Sequence, residues 1–278
     1  MKYLSYCDDE FIPHADVHLL GLDNSSVCQS TGFTLEQAIL KARDIKRAGK
    51  KVMIWVNRFI FEAELEKVMA DLEALMNEVD GYMLMDFGIM KRLRDKGFCG
   101  ELVCQTDTTL TNAQDAQFLI KQGFDKIVTA RELSLEEYEE MAKMLGERMI
   151  FHSFGRHRLT HSRRPFVTAY GEYRGMELTQ NKAYQIIEEQ RKDPYIIVEE
   201  TSGSHIFDAK IYWALDEAKK LEELGLQDFF YEAFLIDKEA LGKALEGKSI
   251  EAMKAAFPEL QFTRALLDFK TTEKKVEG

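Results

Sequence analysis

The stretch KVMIWVNRFIFEAELEKVMADLEALMNEVDGYMLMD (Lys51–Asp86) contains the pattern that decides the fold. It opens with a short apolar run, Lys51–Asn57, and closes with a second one, Gly81–Asp86. Between them, Phe61–Met76 carries many charges in an amphipathic, helical pattern. A strand, a helix and a strand in this order form the unit from which parallel sheets are built. The stretch therefore predicts one βαβ unit.

The same alternation continues on both sides of this stretch through almost the whole chain. It predicts eight strands, at Ala15–Gly21, Lys51–Asn57, Gly81–Asp86, Glu101–Asp107, Asp125–Glu132, Arg148–Ser153, Pro194–Glu200 and Asp228–Phe234. Eight strands interleaved with helices favour a closed (β/α)8 barrel of the TIM type, which usually has about 250 residues. An open doubly wound sheet is the alternative. Neither GxGxxG nor GxxxxGK[ST] follows the first predicted strand, so the usual nucleotide-binding forms of that alternative lose support.

The chain is predicted to form a single domain over residues 1–278, because it contains no low-complexity segment and no interdomain linker. The barrel core is expected at about 15–236, with an irregular insertion at 154–190 and a helical C-terminal tail at 237–278. Two helix starts carry capping signals. Thr34 precedes one helical pattern, and Ser134 forms a capping box with Glu137 before another.

The composition is that of a globular protein, with 45% hydrophobic and 31% charged residues and a formal net charge of -11. This acidity argues against broad nonspecific nucleic-acid binding but leaves room for one local basic patch. No apolar run approaches the roughly 18 residues of a membrane span, and the acidic N-terminus does not resemble a signal peptide. We therefore expect a cytoplasmic protein with no membrane association. Four scattered cysteines suit a reducing compartment and argue against a disulfide scaffold.

Polar side chains end or follow the predicted strands, and this is where chemistry is carried in barrel enzymes. The candidate residues at these ends are Asn57, Asp86, Asp107, Arg131, Glu132, His152, Glu199, Glu200 and Glu232. Of these, the catalytic candidates are His152, Glu199, Glu200 and Glu232, whose carboxylates and imidazole could do acid–base work or bind a divalent metal. A salt-bridge network on the barrel rim is the alternative interpretation. The chain contains neither a GxSxG nor an HExxH motif.

A second candidate region is the stretch Ile150–Gly175, where five arginines stand against a single glutamate. Four of these arginines, Arg156, Arg158, Arg163 and Arg164, are predicted to form an anion site. Guanidinium groups stay charged and bind phosphate or carboxylate in two-pronged contacts. The alternative is an arginine-rich loop that is paired with neighbouring carboxylates.

Several segments resemble the collagenase-like peptidase family (peptidase U-32). They are DGYMLMDFG from Asp80, TNAQDAQFLIKQGFDKIVTARELSLEE from Thr111, MIFHS from Met149, EETSGSHIFDAK from Glu199 and GLQDFFYEAF from Gly225. The resemblance covers roughly Asp16 to Leu235 and implies a barrel. Members of that family have been called peptidases or collagenases. Others hydroxylate wobble uridine in tRNA or ubiquinone precursors with an iron–sulfur cluster, and the tRNA reaction uses prephenate.

The chain departs from the family pattern where the resemblance implies cluster cysteines. Two of those cysteine positions fall on Arg156 and Arg163, and two further ones are missing from GEYRGMELTQNKAY, which starts at Gly171. The family's Glu-Gly-Arg after the last strand reads Glu232-Ala233-Phe234, so the glutamate is kept and the arginine is not. A cluster needs thiolates, typically four. We therefore expect no iron–sulfur cluster, whereas a divalent metal stays open.

Two functional hypotheses follow from this comparison. The first is a non-redox accessory subunit of a tRNA wobble-uridine hydroxylation system, which acts with a longer, cluster-bearing paralogue and binds tRNA or an anionic small molecule through its arginines. The second is a hydrolase, a collagenase-like peptidase with a carboxylate and histidine site at the barrel mouth. The absence of cluster cysteines argues against hydroxylase chemistry in this chain but not against hydrolysis.

Overall fold

The computed structural model describes residues 1–5, 11–27, 32–187, 189 and 194–269. The strands in this part of the chain are β1 (Lys2–Ser5), β2 (Val17–Leu20), β3 (Lys51–Val56), β4 (Gly81–Leu84), β5 (Glu101–Gln105), β6 (Lys126–Val128), β7 (Met149–Gly155), β8 (Arg158–Ser162), β9 (Ala183–Ile187), β10 (Pro194–Glu200), β11 (Gly203–Asp208), β12 (Ile211–Trp213), β13 (Asp228–Tyr231) and β14 (Phe262–Thr263). The helices are α1 (Leu35–Arg47), α2 (Glu62–Leu75), α3 (Phe87–Asp95), α4 (Ala113–Gln122), α5 (Leu135–Leu145), α6 (Phe166–Arg174), α7 (Ala218–Glu223), α8 (Lys238–Leu245) and α9 (Ile250–Ala256).

Eight parallel strands form a closed barrel in the order β13-β1-β2-β3-β4-β5-β6-β7. The ring closes because β13 pairs in parallel with both β1 and β7. Helices α1 to α5 each connect two successive strands from β2 to β7. The predicted (β/α)8 barrel is therefore confirmed. The predicted N-caps are confirmed as well, since the Thr34 and Ser134 side chains each accept a hydrogen bond from the backbone three residues ahead and complete a capping box.

The barrel has two apolar layers, as the alternation of side chains along a strand requires. One set of buried residues from alternate strand positions fills the interior, and it includes Val17, Trp55, Val103, Ile150 and Phe230. The larger set packs between the outer surface of the strands and the surrounding helices. The barrel is thus a filled core and not a pore, so any site must lie at one of its ends.

One of the eight predicted strands does not belong to the barrel. Pro194–Glu200 is not a barrel strand but β10, which pairs antiparallel with β9 and β11. The eighth barrel strand is instead Lys2–Ser5, ahead of the core start predicted at about residue 15. This strand has four residues, of which only Tyr3 and Leu4 are strongly apolar, and so it gives almost no periodic signal in the sequence.

The chain between β7 and β13 forms a second, four-stranded antiparallel sheet with the order β8-β11-β10-β9. We call it the inserted sheet. The predicted insertion at 154–190 covers β8, α6 and β9, but the inserted sheet also takes β10 and β11 and so extends to Asp208. After β13, the tail contains α8 and α9, and β14 then pairs with β12. No helix in the described ranges is both long and apolar enough to cross a membrane.

Candidate functional site

The C-terminal ends of the barrel strands and the first residues of the inserted sheet bring six ionisable side chains together. We call this group the mouth cluster: Asp107, Arg131, His152, His157, Arg158 and Glu232. Five of these residues are buried, and the Asp107 side chain is 9% exposed. His152 lies within β7, and Arg158 opens β8. The other four, Asp107, Arg131, His157 and Glu232, follow β5, β6, β7 and β13. The inserted sheet therefore supplies part of the site and does not merely flank it.

Asp107 holds two arginines of the mouth cluster in place. Its Oδ1 accepts a hydrogen bond from Arg131 Nη2 at 2.8 Å, and its Oδ2 accepts one from Arg158 Nη2 at 2.6 Å. Burial alone would raise the pKa of the Asp107 carboxyl, but the charges of Arg131 and Arg158 outweigh it and hold that pKa well below its ordinary value. The backbone of Asp107 has a φ of 65°, which is uncommon for a residue other than glycine. The two arginines thus stabilise a strained residue.

Glu232 and His152 face each other in the deepest part of the mouth cluster. Their Oε2 and Nε2 atoms lie 3.4 Å apart, and neither atom makes a hydrogen bond to any of the residues that the structure describes. Arg131 donates a hydrogen bond to the other oxygen of Glu232, and His157 Nε2 lies 3.2 Å from His152 Nδ1. Buried polar atoms are almost always paired in folded proteins, so these two facing, unpaired atoms distinguish Glu232 and His152 as candidates for chemistry.

The pKa values of these two groups move in opposite directions. Burial raises the pKa of Glu232 to about 7, and the nearby charge of Arg131 only partly offsets this effect. Burial, followed by the charge of Arg131, lowers the pKa of His152 well below its ordinary value. At neutral pH the cluster therefore pairs a neutral imidazole with a carboxyl that exchanges its proton readily. Such a pair can accept and donate protons.

Glu232→Gln is expected to flatten the dependence of stability on pH. The folded state of the wild type holds the Glu232 proton up to about pH 7, whereas the unfolded chain loses it near the ordinary value of 4.5. Stability should therefore fall as the pH rises between these two values, by up to about 1.4 kcal/mol per pH unit. Urea unfolding of both proteins at intervals from pH 4 to 8 measures the slope. An unchanged slope in the variant would mean that Glu232 is already ionised in the folded wild type.

The structure places the other predicted strand-end residues in different surroundings. Asn57 is buried near the mouth cluster, where its side chain accepts a hydrogen bond from Val27 N and its backbone oxygen accepts one from Arg158. Asp86 caps α3 by accepting a hydrogen bond from the backbone of Ile89 at 2.9 Å. Glu132 is exposed. Only Asn57 of these three contacts the mouth cluster through the bonds described.

The expectation that Glu199 and Glu200 lie at a barrel strand end was wrong, because β10 belongs to the inserted sheet. Glu199 is buried and accepts hydrogen bonds from the backbone of Val167 at 2.7 Å and of Thr168 at 3.1 Å. It therefore fixes the start of α6 against the inserted sheet. Glu200 ends β10 and is partly exposed.

The four arginines that were predicted to form one anion site are divided by the structure. Arg156 is buried, and its guanidinium donates hydrogen bonds to the backbone oxygens of Ala209 and of Leu235, the latter at 3.3 Å. Arg158 belongs to the mouth cluster. Arg163 and Arg164 are exposed, and the Arg163 guanidinium lies 3.8 Å from the centre of the Phe61 ring.

The sequence analysis did not predict two residues of the site. His157 follows the end of β7 by two positions and contacts His152, and Gln105 at the end of β5 donates a hydrogen bond to Asp107. Both lie within two residues of a predicted site residue. A rule that treated whole strand ends as candidates, instead of the last charged residue alone, would have found both of them.

The residues present do not fit the iron–sulfur cluster that the family resemblance implies. The two matching positions hold Arg156, which is bonded to backbone oxygens, and Arg163, which covers an aromatic ring. Cys104 is buried in the barrel wall, where burial raises its pKa to about 12, and Cys99 is exposed. Cys7 and Cys28 lie outside the described residues. Within the described ranges, no group of three or more His, Cys, Asp or Glu side chains is arranged to hold a metal ion.

The chain is similar to several known proteins. The model of peptidase family U32 matches residues 10–245. The tRNA hydroxylation protein P2 of Bacillus subtilis (strain 168) is 23% identical over 222 residues, which cover 77% of this chain and 72% of that protein. Among solved structures, the U32 peptidase Mk0906 is 14% identical with a TM-score of 0.49, over 83% of this chain and 91% of that one. A D-psicose 3-epimerase is 9% identical with a TM-score of 0.41, over 92% and 95% of the two chains. Because the family model matches well over half of its length, this chain belongs to peptidase family U32.

Proposed function

We propose that this chain is a non-redox subunit of a tRNA hydroxylation system, in which a longer, cluster-bearing member of the same family carries out the oxidation. The observation that carries the proposal is the placement of Arg156. A guanidinium bonded to two backbone oxygens occupies a position where the family resemblance implies a thiolate ligand. The name of the Bacillus subtilis relative, a tRNA hydroxylation protein, supports the choice of system.

The chemistry of arginine explains why the exchange removes a redox role. A cluster is held by thiolates, whereas a guanidinium has no lone pair to offer a metal and remains protonated in proteins. Arg156 is also buried, and from its position just after β7 its guanidinium bonds the backbone of the segments after β11 and β13. The residue therefore stabilises the junction between the barrel and the inserted sheet.

The proposed function is tested by deleting the gene in the source cell and measuring hydroxylated uridine nucleosides in total tRNA by mass spectrometry. We expect these nucleosides to be lost on deletion and restored by the wild-type gene. A cysteine-free variant, with Cys7, Cys28, Cys99 and Cys104 all changed to alanine, should restore them equally well. Its thermal unfolding serves as the folding control. A folded cysteine-free variant that fails to restore the nucleosides would contradict the non-redox role.

The facing pair of Glu232 and His152 favours a second candidate, the hydrolase. A buried carboxyl with a pKa of about 7 can act as a general base or acid near neutral pH. Under this candidate, the purified protein digests gelatin or a peptide library, the Glu232→Gln variant does not, and tRNA nucleosides are unchanged by the deletion. Together, these results would contradict the subunit proposal and support the hydrolase.

A further inference from the structure

A small pocket lies outside the mouth cluster, between the segment that follows β3 and the inserted sheet. We call it the rim pocket, and it is lined by Arg58, Phe59, Phe61, Glu64, His161, Arg163, Thr201 and Ser202. Its volume is about 120 Å³. It is too small for a complete small-molecule ligand, for which pockets measure roughly 300 Å³ or more. It does suit one tetrahedral oxyanion.

The charges of the rim pocket favour an anion. Arg58 and Arg163 contribute two positive charges, and Glu64 contributes one negative charge. His161 adds no further charge at neutral pH, because burial, with the charges of Arg158 and Arg163, lowers its pKa. The lining is therefore positive in a protein whose formal net charge is -11. Such a local excess attracts an anionic group that the rest of the surface repels.

Arg58 has an unused hydrogen-bond donor. Its Nη2 binds Glu64, but its Nε is buried and has no hydrogen-bond partner among the residues that the structure describes. Arg58 also lines the rim pocket, so its positive charge would stabilise an anion that is bound there. The exposed Arg163 guanidinium, which is fixed against the Phe61 ring, lines the same space.

The rim of the pocket carries an aromatic surface. The Phe59 side chain is 53% exposed, and its ring lies 5.3 Å from the His161 ring, measured between centres. Phe61 is 38% exposed, and Arg163 covers one of its faces. Exposed aromatic rings beside arginines are the combination by which proteins bind unstacked bases of single-stranded nucleic acid. An oxyanion alone, such as free phosphate, would have no base to stack on Phe59.

We infer that the rim pocket binds one phosphate of single-stranded RNA between Arg58 and Arg163, with the adjacent base stacked on Phe59. The inference rests on the proposed function for the source of the RNA, which is an unpaired loop of tRNA. The pocket accommodates the phosphate, and the base stays outside it, where the exposed ring is. A single-stranded segment fits this arrangement because its bases are free to turn away from one another.

The test uses the purified full-length chain and a fluorescently labelled 12-nucleotide uridine-rich RNA, with anisotropy measured at several salt concentrations. Phe59→Ala is expected to weaken binding about tenfold, since one stacked base contributes about 1–3 kcal/mol. Arg163→Ala should weaken binding and reduce the log–log salt slope by about 0.7, the value for one phosphate on a single strand. Both side chains are exposed, so the variants should fold normally, and thermal unfolding checks this.

Two control variants remove a phenylalanine and an arginine side chain that lie far from the rim pocket in sequence. Phe118 on α4 is 60% exposed, and Arg47 at the end of α1 has a side chain that is 74% exposed. Phe118→Ala and Arg47→Ala should leave RNA affinity unchanged. The inference is overturned if the wild type does not bind the RNA, or if Phe59→Ala and Arg163→Ala bind it as the controls do. It is also overturned if these two variants lose only co-purification with a protein partner.

The result separates the inference from the proposed function. Loss of hydroxylated nucleosides in the deletion strain, together with RNA affinity that does not depend on Phe59 and Arg163, would refute the rim pocket alone. Dependence on both residues, with unchanged nucleosides in the deletion strain, would refute the tRNA hydroxylation role and keep the RNA site.

Discussion

Asp107→Asn is expected to destabilise the folded protein by about 3–5 kcal/mol, the usual effect of removing one partner from a buried ion pair. The Asp107 carboxylate joins Arg131 and Arg158, and both guanidinium groups are buried. Arg131 keeps Glu232 as a partner, but Arg158 has no other carboxylate within salt-bridge distance among the described residues. Asparagine has nearly the same shape and no charge, so the variant isolates the loss of charge from the loss of packing.

Urea unfolding at pH 7 measures this effect, and Glu66→Gln is the matched control. Glu66 also pairs with an arginine, Arg92, at 2.7 Å, but its side chain is 81% exposed. Exposed pairs contribute about 0–1 kcal/mol, so the control should remain close to the wild type. The pKa of Asp107 is held well below its ordinary value in the folded state, so its contribution is present above about pH 4 and is lost at lower pH. Equal stabilities of the two variants at pH 7 would contradict the bridging role of Asp107.

Gly155→Ala is expected to cost more than about 2 kcal/mol, from backbone strain together with steric overlap. Gly155 ends β7 with a φ of 136°, a conformation that residues with a side chain rarely adopt. A Cβ at this position would lie 2.6 Å from Glu232 Cβ and 2.8 Å from the Glu232 backbone oxygen. The extra methyl group must therefore displace the backbone that carries Glu232.

Gly49→Ala separates strain from overlap. Gly49 also has a positive φ, of 74°, but a Cβ there would meet no atom within 4 Å. The Gly49→Ala variant should be destabilised by the backbone strain alone, which is roughly 1–2 kcal/mol. Thermal unfolding of the two variants compares them directly. We also expect Gly155→Ala to alter the pH dependence of stability that Glu232 confers, and Gly49→Ala to leave it unchanged. If the two alanine variants are equally stable, the close approach of Gly155 to Glu232 does not constrain the site.

Most of the barrel was predictable because seven of its strands are apolar runs flanked by amphipathic segments. Hydrophobic periodicity reports burial, and in a parallel barrel the strands are buried on both faces. The remaining strand, β1, is too short to show periodicity. Ile196, Ile197 and Val198 give β10 a stronger strand signal than that of β1, although β10 lies in the inserted sheet. Strand propensity does not indicate which sheet a strand joins, because pairing depends on contacts distant in sequence.

Most residues of the mouth cluster were predictable from the sequence, but the contacts between them were not. The positions of Asp107, Arg131, His152 and Glu232 follow from the rule that strand ends meet at one mouth. That Arg158 would reach Asp107 from the inserted sheet could not be predicted, since it depends on how that sheet packs on the barrel. The partners of Arg156 are backbone oxygens, which every residue carries, and so no sequence pattern marks them.

The pairing of β1 with β13 determines when the protein can finish folding during its synthesis. Lys2 lies beside Phe229, so β1 leaves the ribosome long before β13, the strand with which it pairs. At a synthesis rate of about 5–20 residues per second, this wait is on the order of ten seconds or more. During that time one edge of β1 has no neighbour, and an open strand edge is prone to aggregation. Translation speed therefore sets the earliest moment of barrel closure, and a chaperone that shields the nascent β1 should raise the yield of folded protein.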